Sequence, residues 1–147
     1  MFARIAGKLS RLSLRDWREL FEAQWALLMA QSTLRSRPTG SLATPVDAAG
    51  TADLARIPEA RRLALAMTRA ARFGVFRPQC LARSLALSRM LTAHGITGGI
   101  VRVGVRRNDG QFLAHAWVEL AGETLGDADE HVESFVPLTN LDVTRPR

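Results

Sequence analysis

Cysteine is almost missing from this chain of 147 residues, since Cys80 is the only one. A single cysteine cannot form an internal disulfide bond, which fits a reducing compartment. Long apolar runs are missing too, because no stretch of about 18 uninterrupted apolar residues is present to cross a membrane as a helix. The first residues mix charged and apolar side chains without the continuous apolar segment of a secretory signal. We therefore expect a cytoplasmic protein with no membrane span.

Lysine is as scarce as cysteine, because Lys8 is the only one, and arginine supplies almost all of the net charge of +6. A GC-rich genome that favours arginine codons explains this composition, but the charges are also segregated. Arginines are frequent in the first half, whereas acidic residues concentrate between Glu119 and Glu133. Such asymmetry would steer an acidic partner toward the first half. No nucleic-acid-binding motif accompanies it, so we expect no nucleic-acid partner.

The length and the balance of 47% hydrophobic and 23% charged side chains fit one globular domain over residues 1–147. Residues 1–73 form its helical N-terminal part, which is interrupted by a loop at residues 36–52. Two prolines and two glycines spread through that loop exclude a regular helix. Residues 74–147 form the rest of the domain, where one further helix is followed by strands.

Apolar side chains recur at three- and four-residue spacings between about residues 14 and 34, which predicts a first helix. We expect its apolar stripe to face the core, with both tryptophans as anchors, and the charged side to face solvent. A membrane-surface or partner-binding role for the tryptophans is the alternative. The stripe consists of Leu14, Trp17, Leu20, Phe21, Trp25 and Leu28, and the charged side consists of Arg15, Arg18, Glu19 and Glu22.

Two further helices are predicted from the pattern. One covers about residues 58–73 and is ended by Gly74. Pro78 disfavours helical backbone in the residue before it, so the next helix begins after this proline. The strongly helical run from Cys80 to His94 forms that helix. Cys80 is therefore expected in its first turn.

After this helix, apolar residues recur at every second position rather than at the three- and four-residue spacings of a helix. Residues 100–105 are β-branched and extended, and residues 112–120 alternate in the same way. The Asn-Asp-Gly sequence at 108–110 is a hairpin-turn signal. A short strand then delivers Asp127, and residues 135–138 add an edge strand. The predicted class is α+β, with N-terminal helices and a cysteine-bearing helix packed on a small antiparallel sheet of three or four strands.

Cys80, His115 and Asp127 have the types and the placement that nucleophilic catalysis needs. Cysteine attacks carbonyl carbons as the thiolate, which a helix N-terminus and a neighbouring imidazolium both stabilise. Cys80 has the helix N-terminus, and His115 on a central strand would supply the imidazolium. A histidine in this role needs a third group that fixes its tautomer and orientation. An antiparallel hairpin can set Asp127 beside His115 for that purpose.

Each of these residues also has a simpler interpretation. A lone cysteine is more often a small buried apolar residue, and a lone strand histidine is more often a hydrogen-bonded core or surface residue. Asp129 and Glu130 compete with Asp127 for the role of the acid. His94 and His131 look structural. Neither metal-ligand spacing nor a glycine-rich phosphate loop is present, so we expect no metal and no cofactor.

Three segments of the second half form a recognisable series. They read PQCLARSLAL from residue 78, IVRVGV from residue 100 and FLAHAWVE from residue 112. Together they resemble the lasso-peptide leader peptidases, which are transglutaminase-like cysteine proteases. The likeness covers roughly residues 74–138. It implies a papain- or transglutaminase-like fold, with residues 74–147 as the catalytic core.

The resemblance implies a cysteine peptidase that removes the leader from a ribosomally made lasso precursor peptide through an acyl-enzyme. Cys80 would be the nucleophile, His115 the base and later the acid, and Asp127 the orienting acid. Gln79 is a weak candidate for a second oxyanion donor, because it is adjacent to the nucleophile rather than several residues upstream. Trp117 would shield the site from water or pack beneath it.

The resemblance also implies partners. They are the leader of the precursor peptide, a separate leader-recognition protein and, in the same pathway, an ATP-dependent lasso cyclase. The recognition protein is expected to be separate because residues 1–73 read as helices and a loop, without a strand-rich winged-helix domain. The family's preference for threonine near the cleavage point implies a pocket for a small β-branched side chain.

Two other classes of function remain open. A transglutaminase-type acyltransferase would use the same thioester with an amine as the acceptor in place of water. A non-catalytic module would bind a peptide or nucleic acid through the basic helices, with Cys80 as a core residue.

Overall fold

The computed structural model describes residues 13–36, 44–45 and 54–142 of the chain. Most of the predicted loop at 36–52 and the N-terminal segment considered as a signal lie outside the described residues. No helix in the described part of the chain is long and apolar enough to cross a membrane. In chain order, the elements are α1 (Leu14–Ser36), β1 (Thr44–Pro45), a 3₁₀ turn (Leu54–Arg56), α2 (Ile57–Phe73), α3 (Cys80–Ala93), β2 (Gly99–Asn108), β3 (Gln111–Leu120), β4 (Glu123–Leu125), α4 (Asp129–Glu133) and β5 (Val136–Asp142).

The strands form one antiparallel sheet in the order β1-β5-β2-β3-β4. The predicted hairpin turn joins β2 to β3, and its residues Asp109 and Gly110 both have positive φ, at 47° and 83°. Two such residues suit the twist of the flanking strands. The α+β class is therefore confirmed. The sheet has five strands rather than three or four, because β1 forms inside the predicted loop and pairs with β5.

Helix α3 is the centre of the packing, since it contacts α1, α2, β2 and β3. A helix that is covered on several sides needs small or apolar residues around most of its circumference. The sequence of α3 meets this need, because its buried residues are Ala82, Ser84, Leu85, Ala86, Leu87, Ser88, Met90 and Leu91. This packing fixes α3, and with it the position of Cys80, against the sheet.

The sheet is covered on both faces near its β4 edge. Alternation along β3 places Val118 in the main core with the helices, and it turns Trp117 to the other face. There Trp117 is buried in a small cluster with Val132 and Phe135 from the segment around α4. His115 shares this second face with Trp117, since they are two positions apart along the strand.

The predicted orientation of α1 is wrong. The apolar stripe expected in the core is largely exposed, with Leu14 91%, Phe21 70% and Trp25 63% accessible. The buried face of α1 consists of Glu19, Ala23, Leu27 and Ala30. The tryptophans therefore do not anchor the helix, and Glu19 does not face solvent.

Close packing and charge compensation explain the orientation of α1. Small side chains such as Ala23 allow α1 to approach α2 and α3 closely. The buried Glu19 carboxylate accepts hydrogen bonds from Arg62 Nε at 2.8 Å and from Arg15 Nε at 3.3 Å. On the same side, Glu22 meets His94 Nε2 at 2.9 Å. Burial of a carboxylate is tolerable when such partners are present.

The orientation of α1 can be tested with two truncations. Leu27→Ala deletes a fully buried side chain and should lower the free energy of unfolding by about 2–5 kcal/mol. Trp25→Ala removes a side chain that is 63% exposed and should cost less than about 1 kcal/mol. Urea unfolding followed by circular dichroism compares the two. A larger loss in Trp25→Ala would restore the predicted orientation.

Candidate active site

The cysteine is the first residue of α3, as predicted from the sequence. Gln79 before it is extended, with φ −69° and ψ 159°, and begins the helix. The backbone N–H groups of a first helical turn have no partner inside the helix, and the helix dipole adds partial positive charge there. Cys80 is a free thiol of intermediate exposure. Cys80 therefore lies at the end of α3 that presents unpaired backbone N–H groups.

His115 and Asp127 lie within hydrogen-bonding distance of each other. The distance between His115 Nε2 and Asp127 Oδ2 is 3.3 Å, and the two side chains are only 13% and 14% exposed. Asp127 follows β4, the edge strand, directly after Gly126, which turns the chain with φ +80°. The short strand predicted to deliver this acid to the histidine is thus present.

Arg83 is a third member of this cluster, and the sequence pattern did not identify it. Its Nη2 donates to both carboxylate oxygens of Asp127, at 2.6 Å to Oδ1 and 2.7 Å to Oδ2. Arg83 lies three residues after Cys80 in α3, a spacing that puts two side chains on neighbouring positions of a helix surface. That spacing was the available signal. It did not point to a role because the partner lies 44 residues away.

Aromatic side chains surround the imidazole of His115. Trp117 is stacked on it with 6.2 Å between ring centroids and 18° between planes. Phe135 lies 5.2 Å away, and His131, predicted to be structural, meets the ring edge-on at 4.9 Å. Gly104 opposite His115 permits this packing, because a Cβ there would lie 2.9 Å from the Trp117 ring. Trp117 packs beside the imidazole and is itself buried.

The surroundings of His115 favour its neutral form, compared with a histidine exposed to water. Burial lowers the pKa of His115, and the charge and hydrogen bond of Asp127 oppose this without cancelling it. His131 and Arg83 add smaller effects in the lowering direction. A neutral imidazole held by a carboxylate can accept a proton, which is what a general base must do.

The remaining candidates for site residues have exposed side chains. Gln79 is exposed, and its side chain does not cap α3. Its role as an oxyanion donor stays a prediction. Asp129 and Glu130 are exposed in the first turn of α4. Of the three acids considered, Asp127 is the one with a hydrogen bond to His115.

The structure brings His115, Asp127, Arg83 and Trp117 together. Among the hydrogen bonds of the described residues, none joins the Cys80 sulfur to His115. Cys80 is connected to the cluster through Arg83, one helical turn further along α3. Within residues 13–36, 44–45 and 54–142, no group of three or more His, Cys, Asp or Glu side chains could hold a metal ion.

Comparison with known proteins gave two matches. The family model of the transglutaminase-like superfamily matches residues 21–140. The microcin J25-processing protein McjB of Escherichia coli is 39% identical over 54 residues, which are 37% of this chain and 24% of that relative. The chain thus aligns with about a quarter of the length of this curated relative. No solved structure gave a significant match.

The electrostatic account of His115 predicts its titration. In a Cys80→Ala background, which removes the thiol, His115 should titrate below the ordinary histidine pKa of about 6.5, because burial disfavours the imidazolium. Adding Asp127→Asn removes the negative charge that opposes burial, so the pKa should fall further. Asp129→Asn is the control and should leave it unchanged. Nuclear magnetic resonance can follow the ring protons, since the chain has three histidines. A higher His115 pKa in the Asp127→Asn variant would contradict this account.

Proposed function

The chain belongs to the transglutaminase-like superfamily, and from this premise we propose that it is a cysteine peptidase that removes the leader from a ribosomally made lasso precursor peptide. The observation that carries the proposal is the hydrogen bond between His115 and Asp127, beside the helix that Cys80 begins. The similarity to a protein named for processing microcin J25 supports a role in peptide maturation. The likeness of the cysteine and histidine segments to leader peptidases supports a leader as the part removed.

The proposed reaction begins with proton transfer from the Cys80 thiol to His115. Nε2 of the ring is bonded to Asp127, so Nδ1 is the nitrogen that would face the thiol. The sulfur then attacks the carbonyl carbon of the last leader residue. In the tetrahedral intermediate, the oxyanion accepts a hydrogen bond from the backbone N–H of Cys80, and Gln79 would be a second donor. Contacts between nucleophile and base often tighten only when substrate binds, and this step requires such an approach of Cys80 to His115.

The second half of the reaction releases both products. The peptide C–N bond breaks, His115 gives its proton to the new amino terminus, and the leader stays on Cys80 as a thioester. Water then attacks the thioester while His115 takes one of its protons, and the leader leaves with a free carboxylate as the thiol re-forms. The proposed role of Asp127 is to hold the imidazole in one tautomer and orientation throughout. Trp117 would keep bulk water from the imidazole.

The proposal includes partners and a compartment. We propose that a separate leader-recognition protein presents the precursor and that a lasso cyclase consumes the product. A single free cysteine acting as nucleophile fits the reducing cytoplasm.

An acyltransferase is the second candidate, and membership of the transglutaminase-like superfamily is the observation that favours it. It would form the same thioester at Cys80 and transfer the acyl group to an amine. The mass of the product separates the two functions. A leader with a free carboxylate supports the peptidase, and a leader joined to an amine supports the acyltransferase.

Removal of the nucleophile should abolish cleavage. Cys80→Ala is expected to lower leader cleavage by at least about a thousandfold, while the fold is kept because one small side chain replaces another. The measurement is mass spectrometry of the precursor peptide after incubation with the enzyme and its recognition partner.

In the same samples, iodoacetamide should label wild-type Cys80 rapidly well below pH 8, and His115→Ala should slow the labelling. Slow labelling with the pH profile of an ordinary thiol would support the non-catalytic module instead.

The acid of the triad can be identified by comparing three amides. Asp127→Asn should reduce cleavage by about a hundredfold or more and leave residual activity, because orientation rather than proton transfer is lost. Asp129→Asn and Glu130→Gln are the matched controls on the neighbouring turn and should stay within about twofold of wild type. If either control loses more activity than Asp127→Asn, the assignment of the acid is wrong.

A further inference from the structure

The carboxylate of Asp127 is shared between two elements on different faces of the sheet. Arg83 reaches it from α3, which packs on the face that carries the main core. His115 reaches it from the other face of β3, where Trp117 and Phe135 lie. Asp127 itself follows the edge strand β4. The three side chains thus form a bridge around the edge of the sheet.

We propose that Arg83 is a positioning residue that holds Asp127 in the orientation in which Oδ2 meets the His115 ring and that sets the first turn of α3 against this pair. The catalytic part of this inference rests on the proposed function. The geometric part, in which one guanidinium fixes the carboxylate and takes up part of its charge, does not depend on it.

The contacts of Arg83 are of the kind that fix an orientation. One Nη2 group lies 2.6 Å and 2.7 Å from the two oxygens, so rotation of the carboxylate would break at least one of these contacts. Hydrogen bonds between charged groups are shorter and about twice as strong as neutral ones. The pair is also sheltered from water, with 25% and 14% of the two side chains exposed. A surface ion pair without this shelter would contribute little.

The turn that carries Asp127 is contacted from α2 as well. The Thr68 hydroxyl lies 3.4 Å from the Gly126 backbone oxygen, although its shorter hydrogen bond, at 2.9 Å, goes to the Ala64 backbone oxygen. Thr68, Arg83 and Asp127 line one small pocket together with Ser84 and Gly126. Within this pocket, Arg83 is the cation that contacts the Asp127 carboxylate and restricts its rotation.

The position of Arg83 links this cluster to the cysteine. Residues three apart on a helix have Cβ atoms about 5–6 Å from each other. Arg83 therefore ties the first turn of α3, where Cys80 lies, to the carboxylate that orients His115. Without Arg83, the Asp127 carboxylate would be free to rotate. The first turn of α3 would also be held less firmly at its distance from His115.

Charge sharing by Arg83 should also be visible at His115. The charged and titratable groups that face this imidazole are Asp127 from the turn after β4, His131 from α4 and Arg83 from α3. Removing Arg83 takes away a positive charge, and the negative charge of Asp127 stays beside the ring even when the carboxylate loses its orientation. The charge of Asp127 raises the pKa of His115 more than its hydrogen bond does. The His115 pKa should therefore rise, in the opposite direction to the effect of Asp127→Asn.

The first experiment compares Arg83→Gln with Arg102→Gln. Arg102 forms a similar pair with Glu119 on the sheet, at 2.9 Å and with 21% and 25% of the side chains exposed, and it is the matched control. With urea unfolding as the check of folding, Arg83→Gln should reduce kcat for leader cleavage by at least about tenfold with KM within about twofold. In the Cys80→Ala background it should raise the His115 titration midpoint. Arg102→Gln should change neither quantity. Arg83→Lys keeps the charge and should return the midpoint toward wild type while restoring kcat only in part.

A double variant separates positioning from general damage. If Arg83 acts through Asp127, Arg83→Gln combined with Asp127→Asn should be no slower than Asp127→Asn alone. Two results would overturn the inference and leave the proposed peptidase function intact. One is a double variant whose loss in kcat equals the product of the two single losses. The other is a folded Arg83→Gln protein with wild-type kcat and an unchanged His115 titration midpoint. If the wild-type protein cleaves no precursor while Arg83→Gln still raises the His115 midpoint in the Cys80→Ala background, the proposed function is overturned and the geometric part is supported.

Discussion

One partly buried carboxylate, that of Asp127, determines the geometry of the candidate site. A carboxylate with little access to water must be hydrogen-bonded, and Asp127 meets this need through Arg83 on one side and His115 on the other. Because the two donors come from α3 and β3, the same interaction fixes the turn after β4, the start of the cysteine-bearing helix and the plane of the imidazole. Orientation of the site is thus built into the packing of the domain.

The surroundings of this carboxylate follow from the two-sided cover of the sheet. On one face, α3 is buried along most of its length and holds Cys80 at its first turn. On the other face, Trp117 and Phe135 enclose the ring of His115, and Gly104 gives them the room to do so. The aromatic enclosure lowers the pKa of His115 through burial, while Asp127 opposes it. The balance suits a base that must be neutral before the reaction and cationic during it.

Helix α1 shows how charge pairing can decide which face of a helix is buried. Its aromatic side chains favour burial by area, yet Phe21 and Trp25 are exposed. The buried face combines small residues, which allow close helix packing, with Glu19, whose carboxylate is compensated by Arg62. Membership of the transglutaminase-like superfamily covers this helix as well, because the family match begins at residue 21.

The sequence by itself determined the features that depend on neighbouring residues. Periodicity and turn chemistry are local, so they located α3 with Cys80 at its start, the hairpin turn at Asp109 and the α+β class. The same hairpin logic placed Asp127 beside His115. Only the tertiary structure decided which face of α1 is buried, that β1 pairs with β5, and that Arg83 holds Asp127. The last contact joins residues 44 positions apart, and the one that compensates Glu19 joins residues 43 positions apart. No local pattern records such a partner, because its energy exists only once the packed elements bring the two charges together and exclude water from between them.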